Sequence, residues 1–317
     1  MACAALAVLL LFVGCGSPGA DEPMVDAGDG SGSADGSVAT DAPAATFTWP
    51  TCGTTAFDHF ELYYGHAIAV APDGTVFHQM SDGGESYISR YRPGMTAEPN
   101  WAHIGVAATS VISLTTDGAG TPYALIGKNG QTQLARVIGG AAPAIAAIGP
   151  TLTTIGGPNA IAFAPDGTLF EAGFQGLARV NPTTGQRTTI SQPIQLRELY
   201  FTGAHTARGV SYDHGLVEIT IGASAPFVTI FPFDTLALQF TGLDQMGRTY
   251  ALIHETSKDK LVRFDPTFAT RETLYEYPSV SIVLGKFAFG RGALRCDVLI
   301  TGYNIAHVTT GDTPAVP

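Results

Sequence analysis

The chain has 317 residues, of which 45% are hydrophobic and only 14% charged, with 38 glycines and 20 prolines. That is enough apolar material for a large core, while so little charge and so many turn formers exclude a helix bundle or a coiled coil. The net charge of -11 is local: residues 1–89 hold 11 acidic and no basic residues, and the remainder is balanced, so no basic patch offers itself to nucleic acid.

Residues 4–13, AALAVLLLFV, are an unbroken apolar run. It is shorter than the roughly 20 residues a spanning helix needs and has the length of a signal-peptide core. The run closes in Leu11-Phe12-Val13-Gly14-Cys15, which resembles the lipobox of bacterial lipoproteins. The resemblance implies a signal peptide over 1–15, lipidation of Cys15, and an outer-membrane lipoprotein of the cell envelope facing periplasm or cell surface. A plain cleaved signal peptide, and so a secreted protein, is the alternative. Residues 16–45 are Gly, Ser, Ala, Pro and Asp with almost nothing to bury. Such a segment does not offset its own ordering entropy, and its carboxylates repel one another, so it reads as an extended tether.

From residue 46 onward the chain repeats itself. Ala67-Ile68-Ala69-Val70-Ala71-Pro72-Asp73-Gly74-Thr75-Val76-Phe77 is nearly copied as Ala160-Ile161-Ala162-Phe163-Ala164-Pro165-Asp166-Gly167-Thr168-Leu169-Phe170, with weaker copies at 112–126 and 238–253. Proline presets the first turn dihedral and glycine accepts a positive φ, so each copy predicts a β-hairpin. A third strand follows at Ile88, Leu134, Leu177, Leu216, Leu261 and Ile305, spaced by 39 to 46 residues, and a fourth follows most copies, as at Arg187–Ile190 and Glu272–Tyr275. Four strands every 40–50 residues is the pattern of a propeller blade. The expected fold is all-β: a six-bladed β-propeller over 46–317 with four-stranded antiparallel blades. The last third strand has only a short tail behind it, so the stretch 46–60 is expected to supply the missing outer strand and close the ring.

Cys52 and Cys296 remain once Cys3 and Cys15 are set aside. In an exported protein two such residues suggest a disulfide, here joining the closing strand to the last blade.

The segment from Gly157-Pro158-Asn159 to Phe170 resembles propellers of the gluconolactonase/senescence-marker class and of the NHL-repeat class. The first class holds a divalent metal in its channel through a glutamate, an asparagine and a later aspartate, and only Asn159 falls on a matching position. Tyr64-Gly65-His66-Ala67 stands where the glutamate motif is expected. The resemblance therefore leaves His66 and Asn159 as channel-facing binding candidates, with no metal site and no cofactor predicted. Calcium or zinc enters only under a lactonase reading. None of the eight histidines forms a His-Glu-x-x-His pair, and neither a Gly-x-Ser-x-Gly elbow nor a phosphate-binding glycine loop occurs. Arg90, Arg136, Arg179 and Arg263 recur at one phase, which suggests a repeated structural link. The leading functional expectation is a monomeric, non-catalytic module that binds a small ligand or an envelope protein. The alternative is a metal-dependent hydrolase of the gluconolactonase kind.

Overall fold

The computed structural model describes residues 56–60, 67–92, 95, 97–106, 109–153, 158–173, 176–190, 194–222, 227–232, 237–244, 247–255, 258–278, 287–290, 297–300 and 305–309. All lie in the compact unit Thr48–Pro317. The tether, Cys15, Cys52, Cys296 and His66 lie outside the described residues.

The architecture is an all-β propeller with four-stranded antiparallel blades, and among the described residues six such sheets are present. A short strand β1 (Ala56–Phe60) precedes the first complete sheet, which holds β2 (Ile68–Val70), β3 (Val76–Asp82), β4 (Glu85–Tyr91) and β5 (Glu98–Val106). The second holds β6 (Ser110–Thr116), β7 (Pro122–Lys128), β8 (Gln131–Ile138) and β9 (Ala144–Thr153). The third holds β10 (Pro158–Phe163), β11 (Leu169–Gly173), β12 (Gly176–Val180) and β13 (Arg187–Thr189). The fourth holds β14 (Tyr200–Gly203), β15 (Thr206–Ser211), β16 (Gly215–Thr220) and β17 (Phe227–Phe231). The fifth holds β18 (Ala237–Leu243), β19 (Thr249–Glu255), β20 (Lys258–Phe264) and β21 (Arg271–Pro278). The sixth holds β22 (Phe287–Phe289), β23 (Asp297–Ile300) and β24 (Ile305–Thr309), with β1 outermost and antiparallel to β24, from Ala56 opposite Thr309 to Phe60 opposite Ile305.

The inner strands show why both sheet faces are apolar. Along β10, Ala160, Ala162 and Ala164 pack toward Leu196, Leu199, Ala207, Val217 and Ile219 of blade four. The intervening Ile161 packs toward Tyr123, Leu125 and Leu134 of blade two. The same alternation governs β2, where Ala69 and Ala71 join Val111, Leu114 and Ala124, while Ile68 and Val70 join Ala288 and Leu299 of blade six. A period of two would give one wet and one dry face in a half-buried sheet. Here both parities are dry because a blade lies on each side. Each inner strand neighbours the next, and β22 neighbours β2.

Four inner hairpins share one backbone. The carbonyl of the residue after the glycine accepts from the first turn residue, and the glycine N–H returns to that residue's carbonyl: Ala71 with Gly74 and Thr75, Asp117 with Gly120 and Thr121, Ala164 with Gly167 and Thr168, Asp244 with Gly247 and Arg248. The four glycines carry φ of 77–89°, a region that glycine enters without steric cost. In blade three the Thr168 N–H holds the Asp166 carboxyl below its usual range.

Two of the recurrent arginines make the expected link. Arg90 donates to Glu98 at 2.6 Å and Arg263 to Glu272 at 2.6 Å, each from third to fourth strand. In blade four, Glu218 on the third strand pairs instead with Arg208 on the second.

The pairing of β1 with β24 generates a test. Without residues 56–60, β24 becomes an open edge with unpaired backbone groups. A chain beginning at residue 61 should melt at least several degrees below one beginning at residue 48, or aggregate. Equal, cooperative melting of the two in a calorimeter would show that β1 contributes nothing to closure.

Candidate functional site

An inner strand has one edge paired within its own blade and the other turned toward the ring axis, where its N–H groups need acceptors. Side chains from the preceding blade provide them. The Val111 N–H donates to Gln79 Oε1 at 3.1 Å, the Ile161 N–H to Ser113 Oγ at 3.1 Å, and the Thr241 N–H to Glu198 Oε2 at 2.9 Å. In the other direction, Thr116 Oγ1 donates to the Val70 carbonyl at 3.2 Å.

Each of several inner strands also carries a bulge, a device that re-aims side chains. The register slips between Val111 and Ser113, between Pro158 and Ala160, and between Leu238 and Phe240. The extra residues, Ile112, Asn159 and Gln239, stand at the same distance before the turn residues Asp117, Ala164 and Asp244. His66 has the same spacing from Ala71, but it lies outside the described residues. Blade four slips over a longer stretch, with Leu196 opposite Ser211 and Tyr200 opposite Arg208, and Glu198 falls between these pairs.

The inner strands enclose a cavity of about 730 Å³. All six sheets contribute to its wall, among them Ile68 and Val70, Ser113 and Asp117, Ala160 to Ala164, Glu198 and Tyr200, Thr241 to Asp244, and Phe289. Half-buried Asn159 is the extra residue of the β10 bulge, directly before Ala160, where the cavity lining on this strand begins. Glu198, 8% exposed, brings a buried carboxylate to the cavity. The sequence pattern does not mark it. The available signal is a charged residue set directly before an apolar strand in a chain that has few charges.

Two more carboxylates reach the cavity at its hairpin end. Asp117 Oδ1 accepts the Ala119 and Thr121 N–H groups at 3.0 and 2.8 Å. Asp244 is more deeply engaged: its Oδ1 accepts the Arg248 N–H at 2.9 Å, and its Oδ2 accepts Arg248 Nε at 2.5 Å and the Tyr250 hydroxyl at 3.1 Å. Arg248 is fully buried. In the same lining, burial holds the Tyr200 phenol above its usual range. Among the described residues no three His, Cys, Asp or Glu side chains are placed to hold a metal ion. Asp244 uses both carboxylate oxygens and Asp117 its Oδ1 in turn bonds, so the described donors offer few free oxygens to the hard ion of the gluconolactonase class.

No family model matches the chain. No curated protein matches it. Solved structures do. A gluconolactonase from Xanthomonas campestris superposes with a TM-score of 0.58 at 12% identity, over 82% of this chain and 91% of that one. A streptogramin B lyase gives 0.54 at 12% identity over 80% and 97%, and a luciferin-regenerating enzyme 0.54 at 12% over 83% and 100%. At these identities the likeness establishes the propeller fold, on which unrelated chemistries are grafted.

The Asp244–Arg248 pair can be tested directly. Removing one member of a buried pair leaves the other in a poor solvent for charge, typically at a cost of about 3–5 kcal/mol. Arg248→Met should therefore destabilise the domain by about that much in urea unfolding. Asp244→Asn in the same chain should recover part of the loss, since the two changes share one interaction. Additive losses would show that the ion pair is not what holds this hairpin.

Proposed function

We propose that the six sheets are the blades of one ring latched by β1, and that the central cavity is a small-molecule site organised around Glu198. The observation that carries this is a comparison of clamps. Gln79 and Ser113 hold the N–H of the next blade with neutral oxygens, so the structural task needs no charge. Blade four performs it with a buried carboxylate, and burying a carboxylate has a cost that a neutral acceptor avoids.

The activity this supports best is hydrolysis of a compact, uncharged lactone or ester. The described lining holds Asp117, Glu198 and Asp244 and no cationic side chain, which disfavours an anionic substrate and favours departure of an anionic product. Glu198 would accept a proton from water as the water oxygen bonds to the acyl carbon. The bond between the acyl carbon and the ring or ester oxygen then breaks, the proton passes from Glu198 to that leaving oxygen, and the new carboxylic acid releases its remaining proton to solvent, giving a hydroxyl, a carboxylate and ionised Glu198. The gluconolactonase among the similar structures supports this reading at the level of fold. Non-catalytic binding is the second reading, favoured by the commitment of Asp117 and Asp244 to turn bonds, which leaves few polar groups for chemistry.

Glu198→Gln separates the two tasks of that side chain. The amide oxygen still accepts the Thr241 N–H, so melting should move by no more than about 2 °C, while turnover of glucono-δ-lactone or γ-butyrolactone should fall at least about 100-fold. Undiminished turnover in Glu198→Gln would remove Glu198 as the base. Lactone-dependent stabilisation without turnover in the wild type would leave the binding reading.

We further propose that the chain is a lipoprotein anchored through Cys15, with residues 16–45 as its tether and a Cys52–Cys296 disulfide in the exported domain. Expressed in a Gram-negative host, the protein should partition into detergent, and Cys15→Ser should release it. Wild-type protein found soluble with an unmodified Cys15 would defeat the anchor. Two free thiols at Cys52 and Cys296 in non-reducing mass spectrometry would defeat the bridge.

A further inference from the structure

The inner strands of blades five and six meet at an unusually close contact. A Cβ built on Gly242 would fall on the edge of the Phe289 ring, inside contact distance of Cε2, with Cζ at 2.9 Å and Cδ2 at 3.0 Å. Real Cβ atoms do not approach carbon that closely, so the ring occupies the space that any other residue at 242 would need. On its flank stands Tyr250, with ring centroids 5.4 Å apart and planes tilted by 43°. Tyr250 is fully buried and donates to Asp244, so it does not yield easily. In front of Phe289 is the cavity, which both Phe289 and Gly242 line. Three positions around the ring from blade six, β10 and its turn line the same cavity with Ala160, Ile161, Ala162, Phe163 and Ala164.

We propose that Phe289, seated on Gly242, sets the bore of the cavity and with it the size of the molecule admitted. This rests on the small-molecule reading of the cavity. The missing side chain at 242 lets the ring lie back against the strand. A methyl group there would lift the ring off its seat, and the direction open to it is the cavity. Gly242 is then a specificity-determining position although it offers no functional group. Phe289 fixes the limit by shape alone, because a phenyl ring offers a ligand neither charge nor a hydrogen-bond donor. It therefore selects by size and leaves chemical choice to Glu198.

The test uses the full chain and three lactones of increasing bulk, γ-butyrolactone, glucono-δ-lactone and dihydrocoumarin, with binding read by ligand-observed NMR. Gly242→Ala should lose the bulkier lactones first, by tenfold or more, while γ-butyrolactone changes little. Phe289→Ala should extend the range upward. In the double variant, Gly242→Ala should have no further effect, because the ring it would displace is gone. A general loss of stability would lower binding of all three lactones together and would not be rescued by the second change. A crystal structure of Gly242→Ala supplies a readout independent of any ligand: the Phe289 ring should stand in the cavity. A ring that keeps its place, or a size profile shared by all variants, would overturn the proposal while leaving the cavity as a site. If no lactone binds to any variant, the small-molecule reading for lactones fails, and the ring position in Gly242→Ala alone decides whether Phe289 sets the bore.

Discussion

A propeller is built around sheet edges that cannot be left open. Each blade contributes its innermost strand to the axis, and that strand is an edge whose N–H groups face other inner strands instead of bulk water. The clamps at Gln79, Ser113 and Glu198 are local answers to this one constraint, each sending an oxygen across to the N–H of the following blade. The outermost edge poses the same problem at the chain ends, and β1 on β24 answers it with backbone instead of side chains. A functional group at the axis is thus never free of structural duty. Glu198 is informative because its structural duty could be met without its charge.

The same constraint explains what composition meant. A sheet with one wet face would carry polar residues at every second position, and 45% hydrophobic content with 14% charge would be hard to place. In β2 and β10 both parities are buried, alanines toward one neighbour and larger residues toward the other. The small side of each strand lets the neighbouring blade approach, and the larger side fills the wedge that opens on the far side. The outer strands carry ion pairs as well, Arg90 with Glu98 and Arg263 with Glu272, whose glutamates remain within reach of solvent. Such links are worth little individually and serve the orientation of the fourth strand more than the stability of the ring.

The fold was legible because its signals are local and repeated. Ala-Pro-Asp-Gly announces a turn by its own dihedrals, and third strands at a regular spacing announce the blade without any knowledge of contacts. The site was much less legible. Asn159 is marked by its motif, but the register places it at a bulge just ahead of the cavity wall. Glu198 precedes a strand that lacks the Pro-Asp-Gly turn, in the blade where the repeat is weakest. Its importance comes from Thr241, distant in sequence and adjacent only after the ring has formed. Gly242 and Phe289 carry no signal at all in sequence, since a glycine and a phenylalanine in strands are ordinary, and only their contact across two blades gives them meaning.

The hairpin aspartates show how such a fold gains chemistry without losing its frame. In blades one and three the aspartate is the third turn residue, and Asp73 Oδ1 and Asp166 Oδ1 accept the N–H groups of Thr75 and Thr168. In blades two and five it is the first turn residue, and Asp117 Oδ1 and Asp244 Oδ1 accept the N–H groups of Thr121 and Arg248. Counted from the start of the turn, these four N–H groups occupy one position. The backbone therefore receives the same hydrogen bond from either placement, and the glycine that follows keeps the same conformation. What changes is where the carboxylate stands: Asp73 and Asp166 are exposed, while Asp117 and Asp244 line the cavity. Moving one residue type by two positions converts a surface turn into a charged cavity wall at no cost to the hairpin. Where the charge is buried deeply, as at Asp244, a compensating guanidinium has come with it. Where it is half-exposed, as at Asp117, backbone N–H groups and water suffice.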